Sequence, residues 1–275
     1  MTSDGRTEMD TGALRGWVRP DGPQRLLLLH GGPGIGYAYL DGLMAELDGW
    51  TVASFQQRGL PPSTLGGPFD IATGVADIAA VLGRLGWDRD TYLLGHSWGG
   101  HLALHAAWRL ADRLASVLTV DPDGVIGDGG SQEFEAELER RLSPDARARV
   151  QEIGDTADDE LADEQLRLVW PAYFSTPAAA PPYVSLPLSQ QAFLGLMQDR
   201  NEQRSGLEAA LPSLTVPLGV LVGAGSPMPR SAGADVVDRV PGAWLDVVEE
   251  AGHFVWIEAP GAVRRALDRL AGATG

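Results

Sequence analysis

A strand that passes into a helix with no linker is the feature that most constrains this chain. Thr91 to Leu94 is apolar enough for a buried strand, and it runs straight into Gly95-His96-Ser97-Trp98-Gly99-Gly100, followed by the helix-forming stretch Leu102 to Leu110. A turn that tight brings the backbone on either side of its apex into close contact, so glycine is required at Gly95 and Gly99, flanking the serine as in a Gly-x-Ser-x-Gly elbow. The same order recurs along the chain. Arg25-Leu26-Leu27-Leu28-Leu29-His30 is a continuous apolar run, as a strand covered on both faces should be, and it stops at Gly31-Gly32-Pro33-Gly34. A helical segment from about Ala38 to Leu47 leads to a strand at Trp50 to Phe55, which ends in Gln57-Arg58-Gly59. Ile71, Val75, Ile78, Val81, Leu82 and Leu85 recur at helical spacing, and Ala115 to Val120 is another buried strand, closed by Asp121-Pro122-Asp123-Gly124. The short run between Gly12 and Val18 is predicted as an edge strand. Strands alternating with helices predict an α/β fold with a doubly wound, mostly parallel sheet and ligand chemistry at the carboxyl ends of its strands.

From about Asp128 to Leu211 the alternation lapses into charged helical stretches, Glu133 to Leu142 and Leu161 to Trp170, and then the proline-rich Pro171 to Pro187. This predicts a helical lid, residues 128–211, inserted into a core formed by residues 1–127 and 212–275. Strand and helix order returns with Val216 to Val222, a helix near Ala232 to Arg239, a strand at Trp244 to Val248, His253 in a loop, and a last helix to about Leu270. A chain of 275 residues, 44% hydrophobic, can bury the core that such a sheet needs.

Composition narrows the chemistry. There is no cysteine, so thiolate nucleophiles, disulfides and Cys-held metals are excluded and any side-chain nucleophile must be an oxygen. No cofactor or metal is called for. The balance of 21 basic and 37 acidic residues gives a formal charge of -16, which repels a phosphate backbone and excludes nucleic acid as the expected partner. The polar, acidic opening from Met1 to Asp10 does not resemble a secretory signal, and no uncharged apolar stretch reaches membrane-spanning length, so a soluble cytoplasmic protein with a small-molecule substrate is expected. Every basic residue is arginine, and with abundant Ala, Gly, Asp and Pro this points to GC-rich coding and a bacterial source. Oligomeric state is not written in these features.

Ser97 is the candidate nucleophile, projecting at the amino end of a helix whose dipole favours negative charge. Such chemistry needs N–H donors where a carbonyl oxygen becomes anionic, each contributing roughly 2.7 to 4 kcal/mol to the barrier. The amide of Trp98 is one candidate and that of Gly32 the other. His253, far along the chain between the last strand and the last helix, stands where the chain order of a serine elbow places its base. A phosphate loop is disfavoured, because no Gly-Lys-Ser/Thr ending follows the glycines.

The motifs His30-Gly31-Gly32-Pro33-Gly34, Gln57-Arg58-Gly59 and Gly95-His96-Ser97-Trp98-Gly99-Gly100 resemble the proline iminopeptidase branch of the α/β-hydrolase superfamily. The resemblance spans the core on both sides of the insertion and implies a cofactor-independent Ser-His-Asp hydrolase of amides or esters. Two positions depart from it. The family usually has Asp before Gln-Arg-Gly, where this chain has Gln56. The acid is expected in a Gly-x-x-Asp turn after Val216 to Val222, but Gly223-Ala224-Gly225-Ser226-Pro227 places Ser226 there. A serine cannot hold an imidazolium by charge. Asp121, at the end of the strand after the nucleophile's helix, is the chosen replacement. Asp123, or no acid at all, are the alternatives, since Asp-Pro-Asp-Gly is also an ordinary turn.

The substrate is expected to be an ester or amide of a small apolar compound, with Trp98, Trp170, Tyr173 and Phe174 binding it, and Tyr183 and Phe193 in the same aromatic group. An aminopeptidase would also need a carboxylate for the substrate ammonium, for which the lid supplies Glu133, Glu135, Glu137, Glu139 and Glu164. A carboxylate-based epoxide hydrolase or dehalogenase mechanism is disfavoured by serine at position 97. Two other readings use the same residues: a lyase, transferase or cyclase on this fold, or a binding protein that has lost turnover.

Overall fold

The apolar runs become the interior of one eight-stranded sheet in the computed structural model, which describes residues 5–274; the first residues of the polar opening, 1–4, lie outside them. The strands are β1 (Thr7–Asp10), β2 (Arg15–Arg19), β3 (Gln24–Leu29), β4 (Trp50–Phe55), β5 (Thr91–His96), β6 (Leu114–Val120), β7 (Leu218–Gly223) and β8 (Trp244–Val248). Their order is β1-β2-β4-β3-β5-β6-β7-β8. β1 and β2, and β2 and β4, pair antiparallel, while every pairing from β4 to β8 is parallel.

The four leucines of β3 show why the run has no polar gap. Leu27 and Leu29 enter the core on one face of the sheet, with α1 (Ile71–Leu85) and α2 (Trp98–Arg109), whereas Leu26 and Leu28 enter the core on the other, with a 3-10 helix (Tyr37–Leu47) and α9 (Ala262–Thr274). Side chains alternate across a strand, so a strand between two helical layers must be apolar at every position, and each buried leucine contributes roughly 2 kcal/mol. α1 begins at Asp70, whose carboxylate accepts from the Thr73 amide at 2.6 Å, and stops at Gly86, where φ is 64°.

Three local expectations change. Gly12 to Val18 does not mark an edge: β2 lies between β1 and β4, and β1 is the edge strand. In β1 only Met9 is buried, so its sequence carries no apolar run to read. The segment read as an α-helix from Ala38 is a 3-10 helix. Between β6 and β7 the helices are α3 (Ser131–Arg141), α4 (Pro144–Ile153), α5 (Asp159–Val169) and α6 (Gln190–Ala210), with α4 and α6 additional to the two stretches read from sequence. α6 buries only Ala192, Leu196, Arg200, Leu207 and Ala210, a narrow stripe on an otherwise polar helix. α7 (Arg230–Arg239) and the short α8 (Val255–Glu258) complete the chain. Among the described residues no helix is long and apolar enough to cross a membrane.

β5 enters α2 through Ser97 alone, at φ 55° and ψ -123°. A Cβ on Gly95 would stand 2.1 Å from the Gly99 carbonyl oxygen, and one on Gly99 would stand 2.5 Å from the carbonyl oxygens of both Leu29 and His30. Four histidines are sealed into the same region: His30, His96, His101 and His105 are each at most 2% exposed. Burial withholds water from the imidazolium and lowers the pKa of His30 and of His101 to about 4, that of His105 to about 2, and that of His96 well below the ordinary value.

This packing has two testable consequences. Gly99→Ala should cost more than about 3 kcal/mol or prevent folding, because backbone rather than a flexible side chain occupies the space, whereas Gly272→Ala in α9, with nothing within 4 Å of its Cβ position, should be neutral or stabilising by urea denaturation. The unfolded chain binds protons at these histidines that the folded chain excludes. Stability is therefore complete above about pH 6.5 and falls as pH drops toward about 4, by roughly 2 kcal/mol per histidine between pH 7 and pH 5. A urea midpoint unchanged over that interval would contradict it.

Candidate active site

The carboxyl ends of β5, β6 and β7 and the loop after β8 converge on one point. Asp121 follows β6 at φ 47° and is fully buried. Its Oδ1 accepts from the Gly223 amide at 3.2 Å. Its Oδ2 accepts from the Ser226 hydroxyl and from His253 Nδ1, each at 2.5 Å. A carboxylate sealed from water at this depth needs such donors, since burying an unpaired charge costs several kcal/mol. Ser226, the residue standing where an acid was expected, thus binds the acid that stands one strand over, and its own oxygen accepts from the Met228 amide at 3.0 Å. Asp123 is not part of this group: it forms an ion pair of 3.2 Å with Arg200 of α6.

His253 is held from three directions. Its Nδ1 meets Asp121, its amide donates to the Tyr173 carbonyl at 2.8 Å, and its carbonyl lies 3.0 Å from His96 Nε2. The preceding Gly252 amide donates to Glu258 of α8 at 2.7 Å, and the same carboxylate accepts from the Ser175 hydroxyl at 2.6 Å. The loop carrying the imidazole is therefore tied to the segment after α5.

Ser97 and His253 both line a cavity of about 360 Å³, as do Gly32 and Trp98. The glycine turn after β3 runs against the elbow: a Cβ on Gly31 would stand 2.8 Å from the Ser97 Cβ, and Gly32 has φ 49°, which glycine tolerates best. Gln56, the residue before Gln57-Arg58-Gly59, stitches this turn in place. Its amide nitrogen donates to the Ile35 carbonyl at 3.2 Å, and its oxygen accepts from the Tyr37 amide at 3.1 Å. The amide of Trp98 opens α2, where the first turn's N–H groups have no intrahelical acceptor.

Of the aromatic residues read from sequence, Trp98, Trp170, Tyr173 and Phe193 line the cavity. Phe174 and Tyr183 do not. Phe174 is 1% exposed and lies behind the wall, 5.1 Å from Trp170 and 5.5 Å from Phe254 between ring centroids. The preceding Tyr173 faces the cavity and Phe174 faces the core, a distinction that no spacing rule could make in an irregular segment. The Tyr183 hydroxyl donates to Asp163 at 2.7 Å. Wall residues not singled out from sequence include Phe134, Leu166, Met197, Met228 and Phe254. Leu166 with Val169, and Phe193 with Met197, share helical spacing and were legible as inward stripes of α5 and α6.

Charge on the wall is sparse. Asp123 and Arg200 neutralise one another, and Glu135 is the carboxylate left without an ion-pair partner there among the described residues. The other glutamates considered for an ammonium turn elsewhere. Glu133 does not line the cavity, the Gln151 amide donates to Glu139 at 2.9 Å, and Glu164 pairs with Arg149 at 2.7 Å. The guanidinium of Arg140, then that of Arg141, holds Glu137 down at about 2. Among the described residues no three His, Asp or Glu side chains cluster as a metal would require.

The chain as a whole resembles known proteins. Residues 26–266 match the model of the alpha/beta hydrolase family. A proline iminopeptidase of Lactobacillus delbrueckii subsp. lactis is 40% identical over 86 residues, 29% of either chain. Lipase LipV of Mycobacterium tuberculosis is 31% identical over 126 residues, 46% of this chain and 47% of that one. The chain thus matches under half the length of these curated relatives. Among solved structures, VinJ superposes with a TM-score of 0.73 over 97% of this chain and 98% of its own at 23% identity, a likeness of fold. A proline iminopeptidase-related protein of Thermus thermophilus does so with a TM-score of 0.69, at 25% identity over 98% and 97%. With the matched region covering most of β3, all of β4 to β8, and the candidate site from Gly32 to His253, the chain belongs to the alpha/beta hydrolase family.

Proposed function

We propose that this protein is a cofactor-independent serine hydrolase that cleaves an ester or amide of a small apolar substrate through an acyl-enzyme. The reading is carried by the Asp121–His253 pair, whose imidazole shares a cavity wall with Ser97 and with the glycine turn. Asp121 holds Nδ1 protonated, which leaves Nε2 as the base in the neutral ring. His253 takes the Ser97 proton as the oxygen attacks the carbonyl carbon. The amides of Gly32 and Trp98 receive the resulting oxyanion, and the imidazolium returns the proton to the leaving group. Water, deprotonated by the same imidazole, then releases the acyl group.

The segment 128–211 acts as the cap over the core in this reading. Phe134, Leu166, Trp170 and Phe193 from it face the cavity, and such walls favour an apolar acyl or leaving group. An aminopeptidase is a second reading, favoured by Glu135, whose unpaired carboxylate on the wall suits a substrate ammonium.

Ser97→Ala should abolish turnover of a nitrophenyl ester. Asp121→Asn, which keeps the shape of the side chain, should lower kcat by about ten-thousand-fold while circular dichroism stays native. Full turnover in either variant rules out the assignment. The readings separate on Glu135→Gln, assayed with nitrophenyl esters and aminoacyl anilides. An ammonium anchor predicts a KM for the anilides raised about tenfold with the esters untouched, and an apolar site predicts no change in either. Incorporation of labelled oxygen from water into the acid product distinguishes hydrolysis from lyase or transferase chemistry.

A further inference from the structure

Two groups, half-buried Tyr39 and buried His96, line the cavity without entering the chemistry proposed for it. Tyr39, on the 3-10 helix, and His96, the residue before Ser97, form a hydrogen-bonded chain between the glycine turn and the base. The Gly31 amide donates to the Tyr39 hydroxyl oxygen at 2.5 Å, Tyr39 Oη lies 2.9 Å from His96 Nδ1, and His96 Nε2 lies 3.0 Å from the His253 carbonyl oxygen.

The proton positions along this chain follow from its two ends. A carbonyl oxygen can only accept, so His96 Nε2 carries a hydrogen and donates it to His253. A neutral imidazole then presents a bare lone pair at Nδ1, and the only hydrogen available there is that of the Tyr39 hydroxyl. The phenol donates to His96, which leaves its oxygen free to accept from the Gly31 N–H. Every link thus points one way. Charge on either ring would break the order: an imidazolium has no acceptor for Tyr39, and a phenolate has no hydrogen for His96. Burial opposes both, lowering the His96 pKa well below the ordinary value and raising that of Tyr39.

We infer that Tyr39 and His96 are positioning residues, a proton-ordered strut that fixes the oxyanion turn and the His253 loop at a set distance on either side of Ser97. The inference rests on the serine-hydrolase reading and extends it. Gly31 adjoins the proposed oxyanion donor Gly32, and the strut's other end is the backbone of the base itself. The Tyr39 ring is fixed by packing as well, 5.9 Å from Phe254 and 6.2 Å from Trp256 between centroids. Removing the oxygen alone therefore leaves the ring seated.

The test is Tyr39→Phe, which strips Gly31 of its acceptor and His96 of its donor. The expected result is a kcat lower by roughly ten- to a hundred-fold with KM changed less than about threefold, and a parallel slowing of Ser97 capture by a fluorophosphonate. A merely structural tyrosine would leave that split absent. In the native protein, nitrogen-15 NMR should find His96 protonated at Nε2 and bare at Nδ1, without titrating where ordinary histidines do. This measurement needs no variant, so it decides the matter even if Tyr39→Phe does not fold. Native kcat and labelling in Tyr39→Phe, or a His96 proton on Nδ1, overturns the inference. A native protein inert to the fluorophosphonate counts against the serine-hydrolase reading instead, and the nitrogen shifts then judge the ordered chain by itself.

Discussion

The contact of α2 with the carbonyls of Leu29 and His30 is the constraint from which the rest of the site follows. The backbone at Gly99 lies so near them that a single methyl would collide with both oxygens. That approach bends the chain sharply at Ser97 and holds its φ at 55°, in a region most residues avoid. Such strain persists only where surrounding structure imposes it. Here β3 on one side and β6 on the other fix the ends of the bend, with the Ser97 amide donating to the Val120 carbonyl at 3.0 Å. The hydroxyl is thereby placed at the amino end of a helix and at the edge of a cavity.

Around that bend the structure spends its polar groups on placing one imidazole. Asp121 is fully buried, yet its oxygens accept from the backbone of β7, from Ser226 and from His253. β6 and β7 are neighbours in parallel register, so the residues following them open onto the same space. A carboxylate can reach the ring from either strand end, and this chain carries it on β6 with a hydroxyl filling the place on β7. The hydroxyl adds what a second carboxylate could not, a hydrogen to donate. Two carboxylates in hydrogen-bond contact would repel unless they shared a proton.

The inserted helices bear on the same centre from above. Arg141 of α3 donates to the carbonyls of Ala172 and Phe174 and also to those of Gly225 and Ser226, at 2.8 to 3.3 Å. Together with the Glu258 carboxylate on Ser175 and Gly252, it ties the segment after α5 to both the loop after β7, which holds Ser226, and the His253 loop. The wall that faces a substrate and the residues proposed to act on it are therefore one connected unit, and movement of the wall would be felt at His253.

The sequence by itself determined the layers of the fold and the residue at the bend. Runs such as Leu26 to Leu29 have one physical reading, a strand covered on both faces, and Gly95 to Gly100 permit a turn that other residues forbid. Such signals are local, since they depend on what each residue does to its own backbone and immediate neighbours. Short polar β1 and the narrow stripe of α6 escaped because they bury too few residues to leave a pattern. Tertiary structure alone decided what depends on convergence across the chain. It put Asp121, and not Asp123, beside His253; it turned Phe174 into the core and Trp170 into the cavity; it set Glu135 on the cavity wall while engaging Glu137 and Glu164 with arginines. Those outcomes turn on angstrom distances between atoms far apart in sequence, set by the register of β5, β6 and β7 and by the packing of the insertion, and no run of neighbouring residues encodes them.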